Sequence, residues 1–393
     1  MQRYSVPEIS EDVHWVGVKD WNRRMFDALI PLPQGTTYNA YLVQGKEKTA
    51  LIDTVNPGFE KELAAKVNQV TNLADLDYLV MNHAEPDHAG AIPYVMEISK
   101  DARLITTEKG AKMAHVYYEI PEARITTVQD WDVIELGGKT LKFIEAPWLH
   151  WPETMFTYLV ENRALFPCDF LGSHTAFGFY DDEVEELIPF AQRYFGEIMM
   201  PFSKMGKKAL EKIDDLDIEL IAPSHGPIHR NPERILAAYR KWTARETREK
   251  VILVYVSMWN STEAMIKAMV ETLLGEDIEV GLHNLVNADI GDIARDLVDS
   301  RAIVLGAPTV LGGMHPAAIY AAHLVRALRP PLKYGAVLSS YGWGGGAVKQ
   351  AAEILGPTKI EVVGTLEVNG PPSADDYGRI AEIGKQLSNK IRQ

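Results

Sequence analysis

The sequence predicts a two-domain protein that combines α+β and α/β architecture, and three observations support this prediction. Its 393 residues are enough for two domains that each have a hydrophobic core. Apolar runs of strand length alternate with helical patterns, as at 251–256 and 263–274. The stretch 243–250 is polar apart from one alanine, which is typical of a boundary. We therefore predict an N-terminal domain at residues 1–247 and a C-terminal domain at residues 248–393.

Strands and a helix can be placed in the first hundred residues. Residues 35–43 and 49–53 have the composition of paired strands, and residues 60–70 have the spacing of an amphipathic helix. Residues 78–81 form an apolar run that predicts another strand. The polar hexapeptide 83–88 follows at once, so we expect its side chains at the carboxyl edge of that strand.

The hexapeptide and three later segments contain seven residues of metal-binding type. These four histidines and three carboxylates are His83, Glu85, Asp87, His88, His150, Asp169 and His225. Ligands on alternate positions of a short loop can converge on one point, and adjacent ligands can serve a second point beside it. A lone histidine in a loop is more often an ordinary surface residue than a ligand. The complete set in this order nevertheless predicts a site for two metal ions.

This order of ligands resembles the metallo-β-lactamase fold, whose motif is His-x-His-x-Asp-His with later His, Asp and His ligands. Glu85 departs from that motif, because hydrolases of this fold usually have histidine there and bind zinc. A carboxylate adds negative charge and a hard oxygen ligand, which favours iron. Glutamate in this position resembles the flavodiiron proteins, also called A-type flavoproteins. Asp169, which lies between the two distal histidines, is the expected bridging ligand.

The C-terminal third has the pattern of an anion-binding turn. Residues 251–256 predict a parallel strand buried on both faces, and the hydroxyl-rich turn 257–262 precedes the helical pattern at 263–274. Backbone N–H groups and the helix dipole at such a turn bind phosphate. The turn has no lysine and no Gly-x-Gly-x-x-Gly, which favours a phosphate monoester over a triphosphate or dinucleotide. A plain helix cap formed by Asn260 and Glu263 is the alternative.

Two later strand patterns end in loops of similar character. Residues 302–309 end in Gly-x-Pro-Thr, and 334–340 lead into Tyr-Gly-Trp-Gly-Gly-Gly. These turns resemble the FMN-binding loops of flavodoxins, which lie at the edge of a doubly wound sheet. Leu311 is a departure, because the family often has asparagine there. The predicted FMN-binding residues are Ser257, Met258, Trp259, Asn260, Ser261, Thr262, Pro308, Thr309, Val310, Leu311, Gly312, Ser340, Tyr341, Gly342, Trp343, Gly344 and Gly345.

The resemblance to flavodiiron proteins covers essentially the whole chain. It implies a metallo-β-lactamase-like αββα sandwich followed by a flavodoxin-like doubly wound parallel sheet. The implied cofactors are FMN and two non-haem iron ions, and the implied activity is reduction of O2 to water, of NO to nitrous oxide, or of both. One iron would take His83, Glu85 and His150, the other would take Asp87, His88 and His225, and Asp169 would lie between them.

Three further residues belong to the pocket that the resemblance implies. His174 and Tyr194 match positions near the substrate, where Tyr194 could donate a proton or a hydrogen bond. A tyrosine that only packs at the edge of the core is the alternative. Asp27 replaces a histidine that many members have in an Arg-x-Phe-His segment. We expect this change to retune the choice between O2 and NO or the route of protons.

Composition limits the partners. The net charge is −14 without a sustained basic run, which argues against nucleic acid. We expect neither a membrane span nor a signal peptide, because no apolar segment has the required length and the first residues lack an apolar core. The single cysteine, Cys168, suits a reducing cytoplasm and is expected to be a packing residue.

The electron donor is expected to be a separate protein or cofactor, because one cysteine cannot supply the four thiolates of a rubredoxin. Rubredoxin, reduced coenzyme F420 and a flavin reductase are equally compatible with the sequence. The resemblance also implies a head-to-tail homodimer or a dimer of dimers, in which Trp343 matches a position at the junction of the protomers.

Two other functions are compatible with parts of the sequence. A dizinc hydrolase with an appended flavodoxin module would use its metals to activate water, but Glu85 argues against it. A non-catalytic FMN electron carrier would keep the metal site only for structure. A complete and open ligand set argues against the carrier, because structural metal sites tend to be closed.

Overall fold

The computed structural model of the protein describes residues 4–393. The described chain divides into two compact units. The N-terminal unit comprises the residues up to Tyr194 together with Phe202–Arg240, and the C-terminal unit comprises Phe195–Pro201 and Lys241–Gln393. The short segment Phe195–Pro201 therefore groups with the later part of the chain. The domain boundary at residues 247/248 stays a prediction.

The N-terminal unit has two main sheets. Its strands are β1 (Glu8–Ser10), β2 (Val13–Trp15), β3 (Val18–Asp20), β4 (Met25–Phe26), β5 (Ile30–Pro31), β6 (Thr36–Tyr38), β7 (Tyr41–Gln44), β8 (Thr49–Ile52), β9 (Tyr78–Val80), β10 (Arg103–Thr106), β11 (Ile125–Thr127), β12 (Val133–Glu135), β13 (Thr140–Glu145), β14 (Met155–Leu159), β15 (Ala164–Phe166) and β16 (Leu220–Ile221). The first sheet has the order β1-β2-β7-β8-β9-β10-β11, and the second has the order β12-β13-β14-β15-β16. Two small ribbons, β3 with β6 and β4 with β5, complete the strands described for this unit.

The part of this unit that the structure describes has seven α-helices. They are α1 (Glu60–Val67), α2 (Pro86–Ala89), α3 (Ile92–Ile98), α4 (Glu108–Tyr118), α5 (Leu187–Tyr194), α6 (Ser203–Ile213) and α7 (Pro232–Thr243), whose last residues belong to the C-terminal unit.

Alternation along the strands of the first sheet explains the layering. In β9, Leu79 packs into a cluster with residues of α1 and α3, while Val80 packs into a cluster with residues of β13, β14 and β15. Successive side chains of a strand point to opposite faces, so each strand contributes to both clusters. On the far side of the second sheet, Phe156 stacks on Phe170, which contacts Tyr239 of α7. The layers are therefore helix, sheet, sheet and helix.

One expected strand is in fact two. Residues 35–43 split into β6, which pairs with β3, and β7, which pairs with β2 and β8. The break lies at Asn39, whose side-chain amide donates to the carbonyl oxygens of Pro223 (2.8 Å) and Gly226 (2.9 Å). These bonds to a distant loop draw the chain out of regular pairing. The predicted helix 60–70 also ends early, because Asn68 accepts a hydrogen bond from the backbone N–H of Leu73.

The C-terminal unit is a parallel sheet covered by helices on both faces. Its elements are β17 (Lys250–Tyr255), α8 (Ser261–Gly275), β18 (Glu279–Asn284), α9 (Ile290–Leu297), β19 (Ala302–Val310), β20 (Gly313–Met314), α10 (Pro316–Leu328), β21 (Tyr334–Tyr341), α11 (Ala347–Leu355), β22 (Glu361–Asn369) and α12 (Ala374–Ile391). The order is β18-β17-β19-β21-β22, and β20 pairs antiparallel with β19. Helices α8 and α12 share a core cluster with β17, while α9 and α10 also contact β17.

The strand order has a direct consequence for ligand binding. The chain runs from β17 outward to β18 and then returns to β19 on the other side of β17. Loops that leave β17 and β19 therefore diverge at the carboxyl ends of these strands, which is where open α/β sheets bind ligands. Across residues 4–393, none of the helices has the length and apolar character needed to cross a membrane.

Candidate metal centre and cofactor loops

The hexapeptide 83–88 is held by hydrogen bonds that are independent of its own side chains. Asp53 accepts hydrogen bonds from the backbone N–H (2.8 Å) and the side-chain amide (3.1 Å) of Asn82. Burial raises the pKa of Asp53 to about 6, although His88 and the bonds from Asn82 oppose that shift. At the other end of the loop, the backbone N–H of Thr54 donates to the carbonyl oxygen of His88 (2.8 Å). The loop is therefore anchored at both ends by the segment that follows β8.

A change of backbone conformation divides the ligands of the loop into two sets. Glu85 is extended and forms the N-cap of α2, which starts at Pro86. Proline at the first position of a helix has the required φ and loses no hydrogen bond. His83 and Glu85 therefore precede the helical turn, whereas Asp87 and His88 project from it. This division, which the sequence did not show, places the two sets at neighbouring points.

The first ligand group consists of His83, Glu85, His150 and Asp169. One side-chain atom from each lies within 4.8 Å of the others. Glu85 Oε2 is 3.2 Å from Nε2 of His83 and 2.9 Å from Nε2 of His150. Asp169 Oδ2 is 3.4 Å from the first of these nitrogens and 3.5 Å from the second. The atoms converge on a single point.

The second ligand group consists of Asp87, His88 and His225. Nε2 of His225 lies 3.1 Å from Asp87 Oδ2, and Nε2 of His88 lies 3.4 Å from Asp87 Oδ1. The other oxygen of Asp169, Oδ1, is 2.9 Å from Nε2 of His88 and 3.4 Å from Nε2 of His225. Asp169 thus presents one oxygen to each group, which is the geometry that a bridging carboxylate needs.

Three of the ligands, Asp87, His88 and Asp169, lack partners in the described chain for the hydrogen bonds that buried polar groups normally form. Within residues 4–393, neither carboxylate oxygen of Asp87 or Asp169 and neither ring nitrogen of His88 has a hydrogen-bond partner, although all are buried. Such groups are costly unless another partner satisfies them. Their N···O approaches of about 3 Å are close without the alignment of a hydrogen bond. Four imidazoles and three carboxylates around two points fit two divalent cations.

The electrostatic environment is strongly negative. Burial lowers the pKa values of His88 and His150, but the neighbouring carboxylates outweigh burial and raise both to about 9. Asp169 shows the converse, because burial raises its pKa while His88 and the other imidazoles hold it well below the usual range. Carboxylate charge concentrated in this way favours the binding of cations.

Glu153 fixes the orientation of the ligand His83. Its Oε1 atom lies 2.7 Å from Nδ1 of His83 and accepts a hydrogen bond from the backbone N–H of Ala84 (2.8 Å). Nε2 is therefore left for the metal, as in other carboxylate–histidine–metal arrangements. Glu153 is not among the site residues that the sequence predicts. In the sequence, Glu153 stands out only by its position three residues after the ligand His150. That spacing does not show that its carboxylate contacts His83.

His225 is oriented by backbone rather than by a carboxylate. Its Nδ1 atom lies 2.6 Å from the carbonyl oxygen of Thr37, and the next residue, Gly226, donates its N–H to Thr37 Oγ1 (2.7 Å). Gly226 has φ +83°, and a Cβ there would lie 2.6 Å from the carbonyl oxygen of Ser173. Only glycine allows this close approach without strain, so it sets the direction of His225. Thr37 is also not among the site residues that the sequence predicts.

Cys168 lies among the ligands, but its chemistry makes it a poor one. Its sulfur is within 4.8 Å of ligand atoms of His88 and Asp169. Burial raises the pKa of the Cys168 thiol far above its usual value, and the Asp53 and Asp169 charges add to this effect. A neutral thiol does not coordinate metal well. Ser224 donates its hydroxyl to the Cys168 sulfur (3.3 Å), which joins the segments that carry Asp169 and His225.

His174 and Tyr194 lie beside the second ligand group. The His174 ring is 4.6 Å from that of His225 and 4.8 Å from that of Tyr194. Burial lowers the pKa of His174 well below its usual value, and burial raises that of Tyr194 well above it, so both are neutral. Nδ1 of His174 lies 3.0 Å from the hydroxyl of Thr36. Within the described chain, Nε2 of His174 has no hydrogen-bond partner.

Asp27 occupies the turn between β4 and β5. Its backbone is left-handed (φ +50°), as is that of Ala28 (φ +52°), and both lie in the tight turn that the N–H of Leu29 closes by donating to the carbonyl oxygen of Phe26 (3.0 Å). Burial raises the pKa of the Asp27 carboxyl, and Glu85 and Asp87 raise it further. The preceding residue, Phe26, lies 5.2 Å from the ring of His174. The turn therefore borders the metal centre, although the Asp27 side chain is mainly exposed.

The phosphate-type turn follows β17 in the C-terminal unit. Asn260 is left-handed (φ +66°) and forms the N-cap of α8 without a side-chain hydrogen bond. Ser257 Oγ instead accepts from the backbone N–H of Glu263 (3.2 Å). The alternative of a plain capping box at Asn260 is therefore wrong. Thr262 is buried, and its hydroxyl lies 2.9 Å from Ser340 Oγ, which ties α8 to β21.

Met258, Trp259 and Ser261 lie in the same turn after β17, and the other predicted FMN-binding residues lie at the carboxyl ends of β19 and β21. The parallel register of β17, β19 and β21 brings these ends together. Glu367 joins two of the loops, because its carboxylate accepts from Thr309 Oγ1 (3.3 Å) and from the N–H of Gly346 (2.9 Å). Trp259 and Trp343 are 87% and 99% exposed. Large aromatic faces beside a helix N-terminus fit a flavin phosphate with a ring system.

Comparison with known proteins agrees with both units. The family described as "ODP family beta lactamase" matches residues 36–226. A nitric oxide reductase of Moorella thermoacetica is 39% identical over 98% of both chains, and a coenzyme F420H2 oxidase of Methanocaldococcus jannaschii is 34% identical over 98% of this chain and 97% of its own.

Two solved structures extend the agreement to three dimensions. The rubredoxin oxygen:oxidoreductase of Desulfovibrio gigas covers 99% of both chains with a TM-score of 0.95 at 29% identity. The flavodiiron protein of Giardia intestinalis covers 100% of this chain and 98% of its own with a TM-score of 0.95 at 28% identity.

Fold and site together define a two-part oxidoreductase, in which a metallo-β-lactamase-like αββα sandwich precedes a flavodoxin-like sheet. The chain belongs to the flavodiiron protein family. The fold class and the family resemblance inferred from the sequence are thereby confirmed.

Proposed function

We propose that this chain passes electrons from FMN to a non-haem diiron centre that reduces O2 to water, NO to nitrous oxide, or both. One observation carries the proposal. Seven side chains from four separate segments form two adjacent ligand groups, and Asp169 presents one oxygen to each. The relatives named for nitric oxide reduction and F420H2 oxidation support the same chemistry.

The ligand assignment follows the two groups. His83, Glu85 and His150 would hold one iron, and Asp87, His88 and His225 would hold the other, with Asp169 between them. Bound iron and FMN would supply the redox chemistry, and the residues of the two ligand groups would hold the iron. Glu153 and the carbonyl of Thr37 keep the metal-facing nitrogens of His83 and His225 in place.

Protons for the reaction are available beside the second ligand group. Burial keeps the proton on the phenolic oxygen of Tyr194, which lies against His174. That oxygen can donate a hydrogen bond or a proton to the substrate, and the neutral His174 ring lies between Tyr194 and His225. We infer that Asp27, at the rim of the site, is a second carrier of protons in place of the histidine of other members.

The hydrolase and the simple electron carrier are disfavoured. Glu85 gives the first ligand group a carboxylate where the hydrolases of this fold usually have an imidazole, and the relatives are oxidoreductases. A separate donor is proposed to reduce the FMN, and rubredoxin, reduced coenzyme F420 and a flavin reductase are the candidate classes. Cytoplasmic location is also proposed, which the single free cysteine supports.

We propose a head-to-tail homodimer, or a dimer of such dimers, in which the flavin of one protomer faces the metal centre of its partner. Exposed apolar side chains on both units support this arrangement. On the N-terminal unit, Trp21 contacts Phe177, and both are half exposed. On the C-terminal unit, Trp259 and Trp343 are largely uncovered by the chain. Apolar surface of this kind is typical of sites of association.

The test is consumption of substrate by protein of known metal content. The protein is produced under iron-replete anaerobic conditions, its iron, zinc and FMN are measured, and a chemically reduced flavin supplies electrons. Decay of O2 or NO at an electrode is expected from samples that hold iron and FMN. Zinc without iron, or iron-loaded protein that consumes neither gas, would contradict the proposal.

A further inference from the structure

Aromatic rings connect the first ligand group to the protein surface. The ring of Trp151, which is half buried, lies 5.2 Å from that of His83 and 6.3 Å from that of His150. Beyond it, the ring of Tyr117 lies 6.3 Å from that of Trp151 and is 56% exposed. One tryptophan therefore separates an exposed tyrosine from two metal ligands.

This arrangement is held at both ends of α4, on which Tyr117 lies. Thr107, the N-cap of the helix, accepts from the N–H of Gly110 (3.1 Å) and donates its hydroxyl to the carbonyl oxygen of Glu153 (2.9 Å). At the other end, Tyr118 donates its hydroxyl to the carbonyl oxygen of Ala84 (2.6 Å). Both acceptors belong to ligand-bearing segments. The distance from Tyr117 to the site is therefore set by α4 as a whole.

Chemistry distinguishes the two tyrosines. Tryptophan and tyrosine are among the side chains that lose an electron most readily, and rings in contact exchange electrons rapidly. A tyrosine that is oxidised must also release its phenolic proton. Tyr117 is exposed to water, which can take that proton, whereas the Tyr118 hydroxyl is engaged with Ala84. Tyr117 is thus the suitable end of a route that starts at His83.

We propose that Trp151 and Tyr117 form a one-electron route that protects the metal centre when it meets O2 with too few electrons. Complete reduction of O2 to two water molecules takes four electrons and four protons. If the cofactors hold only three electrons, the fourth comes from Trp151, which is refilled from Tyr117. The Tyr117 phenol releases its proton to solvent, and a small thiol reduces the resulting tyrosyl radical at the surface, becoming a thiyl radical. The inference rests on the proposed diiron site.

The experiment uses the holoprotein, reduced with dithionite to about three quarters of its full electron capacity, so that three of the four electrons are present, and then mixed with O2 and frozen. Electron paramagnetic resonance is expected to show a tyrosyl radical in the unsubstituted protein. Tyr117→Phe should lose most of this signal and retain a tryptophan radical, and Trp151→Phe should lose both. Tyr320→Phe is the matched control, because Tyr320 is also exposed but lies on α10 of the C-terminal unit.

A second readout locates the oxidised residue directly. With a nitroso spin trap present, mass spectrometry is expected to find the adduct on Tyr117, and in Tyr117→Phe the oxidation should move to Trp151 or His83. An undiminished tyrosyl radical in the Tyr117→Phe protein, with iron bound, would overturn the route alone. Failure of the unsubstituted protein to bind iron would overturn the diiron site and the route together.

Discussion

The orientation of a metal-binding histidine depends on the hydrogen bond formed by the ring nitrogen that does not face the metal. His83 has Glu153 at Nδ1 and His225 has the carbonyl of Thr37, so each is oriented before any metal binds. Both ring nitrogens of His88 lack a hydrogen-bond partner among residues 4–393. His88 is therefore the least constrained of the three, and its coordination depends most on the ion itself.

Glu153 gives the sharpest test of this view. Removing the carboxylate in Glu153→Ala leaves Nδ1 of His83 without its partner, and the loss of such a partner typically weakens metal binding about 10- to 100-fold. Glu153→Gln keeps a carbonyl oxygen of similar reach and should lose less. Iron affinity is measured by competition with a chromophoric chelator. Equal affinity for the alanine variant and the unsubstituted protein would exclude the positioning role.

Asp169 is the one residue shared by both ligand groups. We expect Asp169→Ala to lose the diiron centre while FMN stays bound, since the predicted flavin residues lie in the other unit. Iron and flavin are quantified per chain after gel filtration. Asp181→Ala is the control, because Asp181 is also a buried carboxylate but binds the backbone N–H of Arg230. Full iron occupancy in Asp169→Ala would show that the bridging assignment is wrong.

Helices and strands could be predicted well where their boundaries depend on the local sequence, and poorly where the boundaries depend on contacts with distant residues. The strand patterns at 302–309 and 334–340 match β19 and β21 within one or two residues, because long apolar runs need no tertiary information. By contrast, the break at Asn39 arises from bonds to a loop almost two hundred residues away. The grouping of Phe195–Pro201 with the later unit likewise reflects contacts that are distant in sequence, in this case with α9. No local pattern carries such information.

The turn before α8 should control FMN affinity. Ser257 orders the first turn of α8 through Glu263, and Thr262 joins it to Ser340. Removing both hydroxyls in Ser257→Ala, Thr262→Ala should weaken FMN by about 1 to 3 kcal/mol, since hydrogen bonds to a charged acceptor are stronger than neutral ones. That is roughly 5- to 150-fold in Kd.

Flavin fluorescence titration measures the change. Thr272→Ala is the matched control, because its hydroxyl bonds to Ala268 within the same helix and lies far from the turn. Its FMN affinity should equal that of the unsubstituted protein. Unchanged FMN affinity in the double variant would count against this turn as the phosphate site.

His229 links the segments around the metal centre and should make stability depend on pH. Its Nε2 atom lies 3.0 Å from the carbonyl oxygen of Leu171. Burial lowers the pKa of His229 to about 4, which Arg234 favours and Asp181 opposes. The pKa of His229 in the unfolded chain is about 6.5. Between about pH 6.5 and pH 4, His229 is therefore protonated in the unfolded chain but neutral in the folded chain. The contribution of His229 to the free energy of unfolding is therefore fully present above about pH 6.5, and it is lost as the pH falls toward the folded pKa of about 4.

The expected loss between pH 7 and pH 5 is about 2 kcal/mol from His229 alone. Urea unfolding of the metal-free protein at both pH values measures it. His229→Gln cannot take up the proton, so its loss should be smaller than that of the unsubstituted protein by this amount. Identical losses for the two proteins would show that His229 does not control the pH dependence.

Across the whole chain, the metal ligands could be predicted from the sequence, but the residues that position those ligands could not. The seven ligands could be recognised by their residue types and their order, because metal coordination restricts both. The residues that position the site could not be recognised in this way, because their roles depend on contacts in the folded chain. These residues are Asp53, Glu153 and Thr37, which contact Asn82, His83 and His225, respectively. Ligands are therefore easier to predict from a sequence than the groups that hold them.

The proposed dimer makes a quantitative prediction for mixed assemblies. One variant, Asp169→Ala, is expected to lack the metal centre, and the other, Ser257→Ala with Thr262→Ala, is expected to lose its weakened flavin during gel filtration. In a head-to-tail dimer, the intact flavin of the first chain faces the intact metal centre of the second. Random pairing makes half of the dimers mixed and half of the sites in each mixed dimer complete, so about a quarter of wild-type activity should return.

The two variants are unfolded together, refolded with iron, passed through gel filtration to remove free FMN, and assayed with NO and O2. Native mass spectrometry of chains with different tags measures the fraction of mixed dimers, and each variant refolded alone gives the background activity. Electron transfer within one chain predicts no recovery at any mixing ratio, because neither chain has both cofactors. Mixed dimers that remain at background activity, or a chain that stays monomeric at assay concentration, would therefore rule out the proposed arrangement between protomers.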